Sequence, residues 1–169
     1  MKKAIWGIVI LLILSAGAFL VYEIFFDISD EERIQRNLTD FARLASRSPA
    51  DTTSSNLLKC RQIENYIAPE CSLAINVSMF EGKYTPRSVG AMALNCKSRF
   101  TAACITFSDI VIQITSPTTA IATFNASFDG KYKADGSEVD GVRELECSLK
   151  KIDGKWCFDS FSIQKILEK

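Results

Sequence analysis

The chain has 169 residues, with twenty Lys and Arg balanced by twenty Asp and Glu, six cysteines and no histidine. That length allows one domain with a real core, and a balanced charge without any basic run argues against nucleic acid as a partner. Without histidine, Ser-His-Asp and Cys-His catalysis are excluded. The cysteines form no C-x-x-C pair, so no metal site and no cofactor motif is expected.

Lys2 and Lys3 precede an apolar run over residues 4–22, interrupted only by Ser15 and two glycines. Nineteen helical residues span roughly 28 Å, close to the thickness of a bilayer's hydrocarbon core. Acidic residues follow at Glu23, Asp27, Asp30, Glu31 and Glu32. The lysine asymmetry predicts a single-pass anchor with its N-terminus in the cytoplasm and the remainder in the periplasm or outside the cell. The rival is a cleaved signal peptide, because Ala16-Gly17-Ala18 has the form of a cleavage site. The continuing run Phe19-Leu20-Val21-Tyr22 favours the anchor. The expected division is residues 1–26 as anchor or signal peptide and 27–169 as one extracytoplasmic domain. An even number of cysteines suits disulfides in that oxidising space.

Ser29-Asp30-Glu31-Glu32 is a capping box. The helix it opens carries Ile34, Leu38, Phe41 and Ala45 on one stripe and closes by Pro49. A second helix is expected over 57–67, with Cys60, Ile63 and Ile67 inward and Pro69 at its end. Strict alternation over 72–79 predicts a half-buried strand with Leu73, Ile75, Val77 and Met79 on one side. Thr85-Pro86 starts a third helix, which runs to about Arg99 with Val89, Met92, Ala93, Cys96 and Phe100 on its apolar face. The rest reads as β: strands over 105–115 and 119–128, a charged excursion over 129–141, and strands over 142–152 and 155–163. Asp153-Gly154 joins the last two in a hairpin.

Phe107-Ser108-Asp109-Ile110-Val111-Ile112 followed by Thr119-Ala120-Ile121-Ala122, and Lys151-Ile152-Asp153-Gly154-Lys155-Trp156 near the end, resemble the paired strands and closing hairpin of the nuclear transport factor 2-like superfamily. That superfamily includes SnoaL-like cyclases and ketosteroid isomerases. The resemblance covers roughly residue 27 onward. It implies an α+β fold, cone-shaped, with three N-terminal helices packed on a curved, mostly antiparallel sheet, here after one transmembrane helix. The fold hosts enzymes, binding domains and structural modules alike.

The two-residue hairpin register puts Leu145, Cys147, Leu149, Trp156 and Phe158 on the concave face, joined by Ala120, Ala122, Phe124, Ala126 and Phe128 of the neighbouring strand. Leu145, Cys147, Leu149, Trp156, Phe158, Phe124 and Phe128 are the candidates for lining a pocket, and the alternative is that they are simply core. No catalytic residue is assigned. Asp109, Tyr66 and Tyr84 are the available acid and hydroxyls, and each has an ordinary structural reading. The sequons at Asn37, Asn76 and Asn125 read as coincidence. Chain reversals suggest disulfides Cys60–Cys71 and Cys96–Cys104. Cys147 and Cys157 fall on opposite faces and are not expected to pair. Two functions stay open. One is a non-catalytic extracytoplasmic binding or assembly module, held to the membrane by residues 4–22, with a protein partner or its own copy. The other is a small apolar-ligand site or an isomerase- or dehydratase-like enzyme in the cone.

Overall fold

A computed structural model describes residues 28–74 and 81–167. The expected anchor at 4–22 and the positions Ile75, Val77 and Met79 lie outside the described residues. Among the described residues, no helix is long and apolar enough to cross a membrane.

Among the described residues three helices come first: α1 (Asp30–Ala45), α2 (Thr53–Ile63) and, after two short strands, α3 (Pro86–Ser98). The strands are β1 (Ile67–Ala74), β2 (Gly82–Tyr84), β3 (Phe100–Ser116), β4 (Thr119–Tyr132), β5 (Glu138–Ile152) and β6 (Lys155–Leu167). They form one six-stranded sheet in the order β2-β1-β6-β5-β4-β3, antiparallel except where β1 runs parallel to β6. The fold is therefore α+β, three helices on a mostly antiparallel sheet.

The expected stripe of α1 is observed. Ile34 and Leu38 are fully buried, and Phe41 and Ala45 pack against the core from its edge. Helix α2 begins four residues earlier than its apolar pattern suggests. Thr52 caps it, its hydroxyl accepting from the Ser55 amide at 3.1 Å. Pro69 does not end that helix. The chain passes through one 3-10 turn (Glu64–Tyr66) and is already a strand at Ile67. The β1–β6 ladder is broken between Ile67 and Ser72, so a residue without an N–H costs no ladder bond at that point.

Helix α3 starts as expected, with Thr85 capping the Ser88 amide and Pro86 in the first turn. Of its expected face, Val89 is buried and Met92 and Ala93 pack against the core, while the other two positions differ. Val89, Gly90 and Lys97 are buried, Cys96 is exposed, and Phe100 belongs to β3. Gly90 is required by close approach: a Cβ there would lie 2.9 Å from the Cys60 carbonyl oxygen of α2. That contact fixes the rotation of α3 and carries Lys97 inward.

The residues over 129–141 are not a loose excursion. Strands β4 and β5 stay paired out to Lys131 and Glu138. Phe100 stacks on Tyr132 (centroids 4.6 Å apart) and meets Phe128 edge-on at 5.3 Å. Gly130, between them on β4, leaves room for both rings, since a Cβ would sit 2.7 Å from Phe128 Cζ and 3.0 Å from Phe100 Cδ1.

The Asp153-Gly154 hairpin forms with both residues at positive φ, 50° and 77°. The register starts as expected, with Ile152 opposite Lys155 and Leu149 opposite Phe158. A bulge at Asp159 then shifts it by one residue. Cys147 therefore lies opposite Phe161, where the unshifted two-residue hairpin register would have placed Ser160, and Phe161 joins Phe158 in the core. A second bulge, in β3, places Asp109 at φ 53°.

Candidate functional site: a filled cone and an external groove

The residues expected to line a pocket share the concave face. Ala120 pairs with Leu149, Ala122 with Cys147 and Phe124 with Leu145. Phe124, Cys147, Leu149, Trp156 and Phe158 are each no more than 3% exposed. They pack with Ile34, Leu38, Ile63 and Val89 of the helices in one apolar cluster. Leu145 is half-buried at its edge, and Phe128 belongs to the aromatic trio on the β3–β4 arm. Side chains thus occupy the space between helices and sheet. Among the described residues, the ionisable groups in that cluster's interior are the Cys71 and Cys147 thiols, both fully buried. Burial pushes Cys71 up to about 12 and Cys147 well above the ordinary thiol range.

All six cysteines carry free thiols, so the expected Cys60–Cys71 and Cys96–Cys104 bridges are not formed. Cys60 and Cys71 do not share an environment. Cys60 lies beneath α3 with Lys97 and Cys96 among its neighbours, while Cys71 faces the core with Cys147 among its own. Cys104 is exposed on β3.

Asp109 is exposed and accepts from the Asn125 side chain at 2.8 Å and the Ser108 hydroxyl at 3.2 Å. Its role is to hold the bulge. Tyr66 donates to Asp40 at 3.4 Å, with Asp40 also 2.9 Å from Arg43 and its side chain 43% exposed. Burial, then the Asp40 charge, pushes the Tyr66 hydroxyl up. Tyr84 donates to the Glu81 carbonyl at 3.4 Å. Asn37 is engaged by the fold, donating to the Trp156 carbonyl at 2.9 Å.

The notable concave feature lies outside the cone, where the C-terminal end of α1 meets β3. Arg47 leaves α1 and forms a two-way backbone bridge with Ala103, at 2.6 and 2.9 Å. A groove of about 560 Å³ opens beside that bridge. Its apolar wall is Ala42, Ala103, Ile105 and Phe107, and its rim carries Arg43, Arg47 and Lys59. Lys59 pairs with Asp51 at 2.7 Å and holds that carboxyl below its usual range. Arg47 donates through Nη1 to the Lys97 carbonyl at 2.7 Å, while its buried Nε–H meets no acceptor among the described residues. Behind it the Lys97 ammonium donates to the Leu44 carbonyl at the end of α1, where a helix's free carbonyls and dipole favour a cation. Burial holds Lys97 below the usual lysine range, helped by the Lys59 and Arg47 charges and opposed by Cys60 and Asp51. Sequence reading missed this groove. The one signal was Arg43 and Arg47 four apart at the end of α1, which does not reveal β3 as the opposite wall.

No protein-family model matches this sequence, and no curated protein matches it significantly. Solved structures do. A hexachlorocyclohexane dehydrochlorinase is 11% identical, with a TM-score of 0.62 over 81% of this chain and 86% of that one. The protein Aln2 from a Streptomyces species is 12% identical, with a TM-score of 0.59 over 82% and 93%. An NTF2-like protein of unknown function from Prochlorococcus marinus is 14% identical, with a TM-score of 0.60 over 84% and 97%. At these identities the likeness is one of fold: the chain has the nuclear transport factor 2-like cone.

Proposed function

We infer that this chain is a non-catalytic binding module, presented outside the cytoplasm by its N-terminal apolar segment, which engages its ligand or partner on the outer surface. The observation that carries the reading is the filled interior. Phe124, Phe158, Leu149 and Trp156 occupy the volume a substrate would need, and among the described residues no carboxylate or hydroxyl enters that cluster's buried centre. The lysines before residue 4 and the acidic residues after residue 22 support the presentation.

The interior is tested by titrating the full chain, solubilised in a non-ionic detergent, with naphthalene, a neutral apolar probe. The Ala120 and Ala122 methyl resonances are expected not to move. A saturable shift of those methyls would mean the cone takes ligands, and the reading would fall. Presentation is tested separately by fusing alkaline phosphatase after Lys169. The fusion is expected to be active, and a silent fusion of normal abundance would contradict an outward domain.

The fold likeness to a dehydrochlorinase and the Tyr66–Asp40 contact favour one second reading, an enzyme working at the cone's rim. The exposure of Asp40 and its pairing with Arg43 count against it.

A further inference from the structure

We propose that the groove between the end of α1 and β3 is a binding site for an organic anion with an apolar body, such as an aromatic or medium-chain carboxylate. The inference names the ligand class for the external-surface reading above and rests on it.

Charge is the first argument. Arg43, Arg47 and Lys59 line the groove, and among the described residues no carboxylate does. Lys97 lies directly behind, so four cations gather here, and the acids that reach them are Asp40 on Arg43 and Asp51 on Lys59. The neighbouring groove across the Arg47–Ala103 bridge is mixed, lined by Asp129, Glu138 and Asp140 together with Arg47 and Lys131. An anion is therefore favoured on the side of the bridge whose described lining carries cations without carboxylates.

The second argument is unfinished hydrogen bonding. The Arg47 guanidinium spends Nη1 on a backbone carbonyl, and its Nε–H is enclosed without an acceptor. A buried donor left unpaired is costly, most of all on a charged group. A carboxylate at the rim would compensate that charge and relieve the mutual repulsion of Arg47, Lys59 and Lys97. The third argument is the wall. Ala42, Ala103, Ile105 and Phe107 offer an apolar surface ending at the cations, in a groove large enough for a bicyclic ring. A free inorganic anion would leave that wall unused.

The test uses 2-naphthoate and its neutral counterpart 2-naphthamide on the full chain, reading the Ala42 and Ala103 methyl resonances. Naphthoate is expected to shift both saturably, with naphthamide at least tenfold weaker and with affinity falling as salt rises. Arg43→Gln and Lys59→Gln should each weaken naphthoate severalfold. Arg43 is well exposed, so its variant is expected to keep the wild-type melting temperature. Equal responses to acid and amide, no saturable shift with naphthoate, or unchanged affinity in both variants would overturn the proposal. Because Ala120 and Ala122 report the interior and Ala42 and Ala103 the groove, failure here is distinguishable from failure of the filled-cone reading.

Discussion

Replacing Trp156 by alanine is expected to cost about 3–5 kcal/mol of folding stability, the range for a large aromatic removed from a core. Trp156 is 3% exposed at the start of β6, and its carbonyl receives the Asn37 amide of α1. Lys151, opposite it in the hairpin, holds its ammonium 5.4 Å from the centre of the indole. The residue therefore joins the closing hairpin to the first helix, and its loss leaves a cavity at that junction. Urea unfolding followed by far-ultraviolet circular dichroism measures the cost. A loss under about 1 kcal/mol would mean that the site collapses around the gap, or that the hairpin does not pack on α1.

The second large effect is expected in alkali. Cys71 and Cys147 are fully buried, and burial raises both thiols above their ordinary value of 9.0, Cys71 to about 12. The sign follows from proton counting. Above pH 9 the unfolded chain loses these protons while the folded chain keeps them. Their contribution is therefore complete below pH 9 and is lost as pH rises towards the folded values. At pH 9 the unfolded thiol is only half-ionised, so each shielded thiol removes about 1 kcal/mol between pH 9 and 10, and the pair about 2 kcal/mol. At higher pH each approaches about 1.4 kcal/mol per unit. Lys97 works the other way. Its folded value lies below 10.5, so the cost of burying its charge is lifted as pH climbs through that window. One lysine offsets part of two thiols, and stability should fall steeply. Urea midpoints from pH 8 to 10 under a phosphine reductant measure the slope. Cys71→Ala should lessen the fall between pH 9 and 10 by about 1 kcal/mol; an unchanged fall would show that Cys71 is not shielded as described.

Local signals were legible where local rules decide the structure. The Thr85-Pro86 start of α3, the α1 stripe and the Asp153-Gly154 turn each follow from a few adjacent residues. What was lost depended on partners distant in sequence. Pro69 looks like a helix stop until the break in the β1–β6 ladder is known. Lys97 looks like a surface residue until Gly90 lets α3 close on α2 and the Leu44 carbonyl comes within reach. The bulges did leave a trace. Trp156, Phe158, Phe161 and Ile163 are spaced 2, 3, 2, and Phe107, Ile110 and Ile112 are spaced 3, 2. A step of three inside an alternating strand is what an extra residue produces. Reading the period as strictly two put Cys147 opposite the wrong residue, while its face was unaffected because the bulge lies on β6. The groove at Arg47 was not legible, since its walls lie 56 residues apart and meet through the Arg47–Ala103 bridge and the Ser46 hydroxyl's bonds to the Ile105 backbone.

The central claim is that the cone is closed by its own side chains. It is tested most directly by running the naphthalene titration on wild type beside Leu149→Ala, whose truncation opens a cavity at the buried centre for about 2–5 kcal/mol. The account predicts that naphthalene shifts the Ala120 and Ala122 methyls in the variant and leaves them unmoved in wild type. Saturable shifts of equal size in both proteins would contradict it.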